Sequence, residues 1–228
     1  MEKANISVGE REGLACFGRI TASVSHEMNN VLAIVNELAG LLEDLLYGAE
    51  QGKAIEPERL TKVSEGIQKQ IQRGQKIVQR LNRFAHSVDE PISECDLHGI
   101  LDDTVGFARR FASLKGVDLQ LEFPEDPVSF TNSRFAVQWA VFSCIDLALS
   151  VSNKGDCVQI ACATQGKTVQ VRVVSGESSD SGETAGRLGA ISDFMERIGG
   201  DLEIVRRDTN RQSIVLTFPH SILVDLLK

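Results

Sequence analysis

The sequence lacks the cysteine spacing that metal sites and disulfide frameworks use. Its five cysteines are an odd number, and none of them forms a C-x-x-C pair. Zinc sites and disulfide-stapled domains normally carry paired, closely spaced cysteines. We therefore interpret all five thiols as buried and unreactive in a reducing compartment. They are Cys16, Cys95, Cys144, Cys157 and Cys162.

The sequence also lacks an excess of basic residues and a long apolar run. Lysine and arginine number 24 against 32 aspartates and glutamates, which gives a net charge of −8. Nucleic-acid binding needs a basic surface, so this balance argues against it. No uninterrupted apolar run approaches the roughly 18 residues of a membrane span. The N-terminal residues contain no apolar segment of a signal peptide. We therefore expect a cytoplasmic protein with no membrane contact.

Two segments before residue 90 carry apolar residues at steps of three and four, the spacing of amphipathic helices. The predicted helices cover residues 14–46 and 57–88, with a glycine-containing loop between them. Such a helical hairpin buries little alone, so a second copy is expected to cover it as a dimeric four-helix bundle. Coverage by the rest of the chain is the alternative. The apolar stripes comprise Leu14, Phe17, Val24, Met28, Val31, Val35, Leu38, Leu42 and Leu45, then Leu60, Ser64, Ile67, Ile71, Gly74, Val78, Leu81, Ala85 and Val88.

After Pro91 the pattern alternates between helices and strands, which is typical of a two-layer α/β domain with a mixed sheet. The class is therefore α+β, with a helical-hairpin domain at 1–90 and an α/β sandwich domain at 91–228. Gly199 and Gly200 form a helix stop signal. The expected helices cover 98–115, 135–151 and 188–198, the strands 117–123, 158–163, 169–174, 202–205 and 214–218, and a small-residue loop 175–186.

His26 lies on the polar side of the first predicted helix. At 100° per residue it stands about 200° from both Val24 and Met28 of the apolar stripe. It should face solvent, with Asn30 on the same face one turn later and Glu27 as its neighbour. An imidazole beside a carboxylate and an amide is a candidate nucleophile with a helper base. The helix pattern alone favours the alternative, a solvated surface histidine. A zinc-protease H-E-x-x-H motif is excluded, because Asn30 stands where its second histidine is needed.

The segment from Ser25 to Leu32, Ser-His-Glu-Met-Asn-Asn-Val-Leu, resembles the H-box of sensor histidine kinases, S-H-E-x-x-[NT]-P-L. The preceding residues 17–24 and the helix at 70–86 are similar to the dimerisation and histidine phosphotransfer domain of that family. Val31 stands where the family usually has proline. Since that proline kinks the helix, we expect a straighter first helix here.

The second predicted domain resembles the ATP-binding domain of histidine kinases, but its nucleotide motifs are eroded. Residues 143–148 match the N-box N-L-L-x-N-A, yet Leu147 stands where an asparagine would hold Mg²⁺. Ser175 lies where D-x-G-x-G would supply the aspartate that reads adenine. The family's third nucleotide motif is a glycine-rich loop. Only Gly186-x-x-Gly189 of it is present here, and we interpret these residues as a helix-entry turn. Phosphoryl transfer from ATP depends on metal ligands and phosphate donors. The resemblance therefore implies a domain that keeps the fold, has lost the nucleotide and binds no cofactor.

The whole chain is most similar to dimeric histidine phosphotransferases of phosphorelays, whose partners are response-regulator receiver domains. The resemblance implies that a receiver phospho-aspartate donates its phosphoryl group to His26, which passes it to another receiver, and that the receiver supplies Mg²⁺. It implies that Glu27 orients the imidazole and accepts its proton, and that Asn30 positions a phosphoryl group or an attacking water. Two alternatives stay open: an ATP-dependent histidine kinase with divergent motifs, and a non-catalytic signalling adaptor.

Basic residues gather on the second predicted helix, where only Glu58 and Glu65 oppose them. A solvated helix face is one interpretation, and attraction of an acidic partner is the other. The resemblance implies that this partner is the receiver domain, whose phosphoacceptor sits among aspartates. The basic residues are Arg59, Lys62, Lys69, Arg73, Lys76, Arg80 and Arg83.

Overall fold

The computed structural model describes residues 8–176, 182–207 and 211–221. The fold is a long helical hairpin followed by an α/β unit, which confirms the expected α+β class. The helices in these ranges are α1 (Val8–Glu50), α2 (Pro57–Ala85), α3 (Leu97–Lys115), α4 (Arg134–Val151) and α5 (Gly182–Arg197). The strands are β1 (Ser93–Asp96), β2 (Asp118–Glu122), β3 (Ser129–Asn132), β4 (Cys157–Gln165), β5 (Thr168–Ser175), β6 (Asp201–Arg207) and β7 (Arg211–Pro219).

Contacts divide the chain into two compact units. Residues Ile20–Arg83 form the helical unit, and the chain up to Arg19 and from Phe84 onwards forms the α/β unit. These limits differ at both ends from the expected domains 1–90 and 91–228, because the first part of α1 packs with the α/β unit. Of the expected loop 175–186, residues 177–181 lie outside the described part of the chain.

Leu14 and Phe17 at the start of the expected α1 stripe are 62% and 44% exposed, so that part of the prediction is wrong. Within the helical unit, the stripe is buried at its central positions, as expected. Val24 and Val31 are 6% and 3% exposed. A glycine on α2 permits close packing of the two helices. A Cβ atom at Gly74 would lie 3.4 Å from the Val31 side chain and 3.5 Å from that of Met28. No proline interrupts α1 at position 31, and the helix runs unbroken for 43 residues.

The expected stripe of α2 combined two different faces of that helix. The structure buries Val63 and Ile77, which lie one position before Ser64 and Val78 of the expected stripe. Ile71 and Val78 are instead 48% and 42% exposed. The apolar spacing of α2 does not by itself tell which of two adjacent helix faces packs against α1. The second face is therefore apolar but uncovered in a single chain.

The α/β unit contains a five-stranded sheet in the order β2-β4-β5-β7-β6. β2 pairs with β4 in parallel, and the other neighbours are antiparallel. Buried side chains alternate along the central strands, as they do when one face of a sheet packs on a core. Helices α3 and α4 supply much of that core. Its fully buried side chains include Ile100, Leu101, Ile145, Ile160, Met195, Leu216 and Phe218.

Two short strands, β1 and β3, were not expected from the sequence. They form a separate antiparallel pair in which Cys95 lies opposite Phe130. Each has four residues, too few for a periodic signal, and they meet across more than thirty residues of chain. Asp96 ends β1 and caps α3, accepting hydrogen bonds from the backbone amides of His98 and Gly99.

Of the two predictions made from glycines near α5, one is confirmed and the other is wrong. Gly199 has φ of 69° and ends the helix, as expected. At Gly200, a Cβ atom would lie 2.7 Å from the carbonyl oxygen of Thr217, so the close approach requires glycine. The interpretation of Gly186 and Gly189 as a helix-entry turn is wrong. Both lie within α5, because that helix begins at residue 182.

Helix α4 is long and apolar enough to span a membrane by length and composition. Of its 18 residues, 67% are buried inside the structure. Its apolar side chains serve the core of the α/β unit, with Val137, Ala140 and Val141 completely buried.

Candidate functional site

His26 lies on the exposed face of α1 in the helical unit. Ser25 and Asn30 are exposed beside it, and Glu27 is half-buried. Asn30 follows one helical turn later, about 6 Å along the helix axis. The exposure agrees with the orientation expected from the sequence, because the neighbouring Val24 is buried. An imidazole in this position is open to attack an electrophile carried by another protein. The roles of His26, Glu27 and Asn30 stay predictions.

A second exposed histidine has a carboxylate partner. His86 Nδ1 lies 2.6 Å from Asp89 Oδ2, with the two side chains 76% and 61% exposed. His86 therefore shares two features with His26, an exposed imidazole and a neighbouring carboxylate. The other two histidines differ from it. His98 is half-buried with its ring 4.3 Å from that of Phe123, and His220 is exposed at the end of β7.

The positions that match nucleotide motifs carry no metal ligand set. Leu147 is 2% exposed in the core, so its side chain is part of the packing of α4. Ser175, at the end of β5, is 5% exposed and donates its hydroxyl to the backbone oxygen of Gly176. Among the described residues, no group of three or more His, Cys, Asp or Glu side chains could hold a metal ion.

Beside Leu147, Asp146 forms an ion-pair cluster that no sequence pattern indicated. Arg19 of α1 and Arg187 of α5 both donate hydrogen bonds to its carboxylate, and the Nη1 atom of Arg19 lies 2.6 Å from Oδ2. Burial by itself would raise the pKa of Asp146, but the hydrogen bonds and positive charges of Arg19 and Arg187 hold that pKa below its usual value. The three residues are far apart in sequence, so only the fold brings them together.

Four of the five thiols are buried, as expected, and Cys157 is half-buried. Burial raises the pKa of Cys16 and of Cys144 to about 12. Thiolates are the reactive form of cysteine, so these two side chains are poor nucleophiles at neutral pH. They serve as small apolar residues in the packing.

Comparisons with known proteins identify the fold. A scan against protein-family models finds no match, and a search of curated proteins finds no relative. Among solved structures, the catalytic domain of histidine kinase ThkA is 12% identical, with a TM-score of 0.53 over 59% of this chain and 100% of that one. The chain is folded like a histidine kinase core.

A second solved structure extends the likeness to most of the chain. Histidine kinase ThkA in complex with the response regulator protein TrrA is 16% identical, with a TM-score of 0.50. The match covers 92% of this chain and 64% of that one. At these identities the likeness concerns the fold alone, so the chemistry has to be argued from the residues of this chain.

Proposed function

We propose that this protein is a histidine phosphotransferase of a two-component phosphorelay and works without ATP. The observation that carries the proposal is the contrast between two positions. His26 is exposed next to a carboxylate and an amide, whereas position 147 is a buried leucine that can hold no metal ion. The histidine kinase-like fold supports a role in two-component signalling. As in a histidine kinase core, a helical unit that carries the histidine comes first in the chain and an α/β unit follows.

The reaction moves one phosphoryl group between an aspartate side chain of a receiver and the side chain of His26. The neutral imidazole of His26 attacks the phosphorus of a receiver phospho-aspartate, so that a P–N bond forms and the P–O bond to the aspartate breaks. Histidine is one of the side chains that form covalent intermediates as nucleophiles. Glu27 orients the ring and accepts its proton, and Asn30 holds the phosphoryl group or a water. The phospho-histidine then donates to the aspartate of another receiver, and the receiver supplies Mg²⁺.

Exposed basic and apolar side chains on the helical unit fit the partners that we propose for this reaction. Most of the basic side chains of α2 are exposed, including Lys69, Arg73 and Lys76. A receiver domain with a cluster of aspartates would be attracted to this face. The exposed apolar side chains Ile71 and Val78 on α2 suit a second copy of the chain. The proposal therefore includes a homodimer in the cytoplasm, with receiver domains as partners.

Phosphoryl transfer from a labelled receiver tests the proposal. The purified protein should take up ³²P from phospho-receivers of the same cell, and His26→Ala should abolish uptake. The His26→Ala variant should fold like the wild type, since an exposed helix position contributes little to stability. His86→Ala is the matched control, because His86 is the other exposed histidine with a carboxylate beside it.

Each outcome of this experiment decides between functions. Label that persists in His26→Ala and disappears in His86→Ala would overturn the assignment of the acceptor. Label taken from γ-³²P-ATP alone would favour the ATP-dependent kinase. Tight binding of the receiver without any transfer would favour the adaptor.

A further inference from the structure

Parts of three helices of the α/β unit line a cavity of about 230 Å³ that the proposed phosphotransfer does not use. The first part of α1 and the middle parts of α4 and α5 form its walls. Its apolar part contains Trp139, Phe142 and Ile191, each at most 4% exposed. The indole of Trp139 is held by Phe194, with ring centroids 4.2 Å apart. The cavity therefore offers rigid, flat apolar walls.

The opposite part of the cavity is polar and carries more positive than negative charge. Arg19, Arg187, Asp146 and Ser143 line it. The two guanidinium groups have ten N–H donors between them, and Asp146 accepts three hydrogen bonds from them. The side chains of Arg19 and Arg187 are 44% and 34% exposed, so N–H groups that Asp146 does not use can be reached from the cavity.

The guanidinium groups are held in place before any ligand arrives. Arg19 has its central carbon 5.1 Å from the ring centroid of Phe111 and 5.7 Å from that of Phe142. Its two nitrogens bind both oxygens of Asp146, and Arg187 binds one of them. Since Asp146 is already neutralised by one arginine, a second anion meets a net single positive charge. Donors fixed in advance lower the entropy lost on binding.

We propose that this cavity binds a small aromatic monoanion. Its ring lies against Trp139 and Phe142, and its carboxylate accepts hydrogen bonds from Arg19 and Arg187. The volume is below the roughly 300–1,000 Å³ of pockets for drug-sized ligands, so a single ring fits and a nucleoside triphosphate does not. The cavity belongs to the α/β unit and His26 to the helical unit, and the proposal does not depend on phosphotransfer.

Trp139 is the only tryptophan in the chain, so its fluorescence reports directly on the cavity. The full-length protein is titrated with benzoate, with benzamide as the neutral ligand of the same shape and acetate as the anion without a ring. Benzoate should give a saturable change and bind at least about tenfold more tightly than benzamide, a difference of about 1.4 kcal/mol. Acetate should give no saturable change. Equal binding of benzoate and benzamide, or no saturable change with benzoate, would overturn the proposal.

Two variants locate the site. Arg187→Gln should weaken benzoate binding about tenfold. Arg172→Gln should leave it unchanged, because it removes the same charge from an exposed position on β5, outside the cavity. Ala190→Leu should also weaken binding by filling the cavity without altering its charge. Thermal melts establish that each variant is folded, and benzoate-observed saturation-transfer NMR gives a second measure of binding. Wild-type affinity in both Arg187→Gln and Ala190→Leu would place the ligand elsewhere and refute the site.

Discussion

The helical unit and the α/β unit differ in how much of their apolar surface a single chain covers. Among the residues that the structure describes, half of the twelve exposed large apolar side chains lie in the helical unit, which spans only residues 20–83. The fully buried side chains lie almost entirely in the α/β unit. The α/β unit therefore completes its own core, whereas the helical unit leaves an apolar face uncovered. Those exposed side chains are Leu32, Leu41, Leu46, Tyr47, Ile71 and Val78.

The two units also differ in the chemistry that they present. The helical unit exposes His26 on a regular helix, where a partner can reach it. In the α/β unit, the position that matches the Mg²⁺-binding asparagine is filled by Leu147, and the preceding residue, Asp146, is engaged with two arginines. Under the proposed function, the helical unit carries the reaction and the α/β unit contributes its fold.

After the loss of uptake in His26→Ala, the largest effect that we expect follows removal of the base in the helical unit. Glu27→Gln keeps the shape of the side chain but cannot accept a proton, so phosphoryl transfer should slow by about 10²–10⁴-fold. Partner binding should not change. Single-turnover transfer from a phospho-receiver measures the rate, with Glu37→Gln on the same helix as control. Transfer at the wild-type rate would mean that Glu27 is only a surface carboxylate and that the partner supplies the remaining chemistry.

The uncovered face of the helical unit predicts that a charge there prevents dimer formation. In Ile71→Glu, each dimer would bury two carboxylates without partners, which is costly. We expect the dimer dissociation constant to rise by at least about 100-fold. Light scattering at micromolar concentration measures the mass. Gln72→Glu, at the next and exposed position, adds the same charge and should leave the dimer intact. A monomeric wild-type protein would contradict the four-helix bundle.

The ion-pair cluster predicts a smaller effect on the stability of the α/β unit. Asp146→Asn should lower the free energy of unfolding by about 1–2 kcal/mol, since the two arginines that lose their partner are partly solvated. Asp193→Asn on the exposed face of α5 is the control. Urea unfolding measures both. A variant as stable as the wild type would show that the cluster does not hold α1 to this unit.

The pH dependence of the same variant follows from the lowered pKa of Asp146. The ionised carboxylate of Asp146 stabilises the folded protein at pH values above 3.8, the pKa of an aspartate in the unfolded chain. That stabilisation is lost as the pH falls through the lower pKa of the folded state. The difference in the free energy of unfolding between the wild type and Asp146→Asn should therefore be largest at neutral pH and vanish in strong acid. A difference that persists there would have a cause other than ionisation.

The smallest expected effect is none at all. Mg·ATP at millimolar concentration should not raise the melting temperature, because Leu147 supplies no oxygen ligand to the metal. A ligand at 100 times its dissociation constant would add about 2.7 kcal/mol to the stability of the protein. A clear, saturable shift would therefore refute the loss of nucleotide binding and favour the kinase.

The regular parts of this fold could be predicted because their signals are local and long. Helix α1 repeats the apolar spacing over several turns, and α4 is apolar along most of its length. The hairpin of β4 and β5 surrounds a short turn containing Gly166. The orientation of His26 followed from the same spacing. The pair of β1 and β3 and the true inner face of α2 could not be predicted, because short strands and adjacent helix faces are chosen by distant neighbours.

The sequence by itself determined the α+β class, the exposure of His26 and the absence of an oxygen ligand at position 147. Helical periodicity and side-chain chemistry are properties of neighbouring residues, so no folded structure is needed to read them. Only the tertiary structure decided that α2 leaves Ile71 exposed, and that residues 19, 146 and 187 meet around one cavity. Such encounters depend on how packed elements bring distant residues together, which no local pattern records.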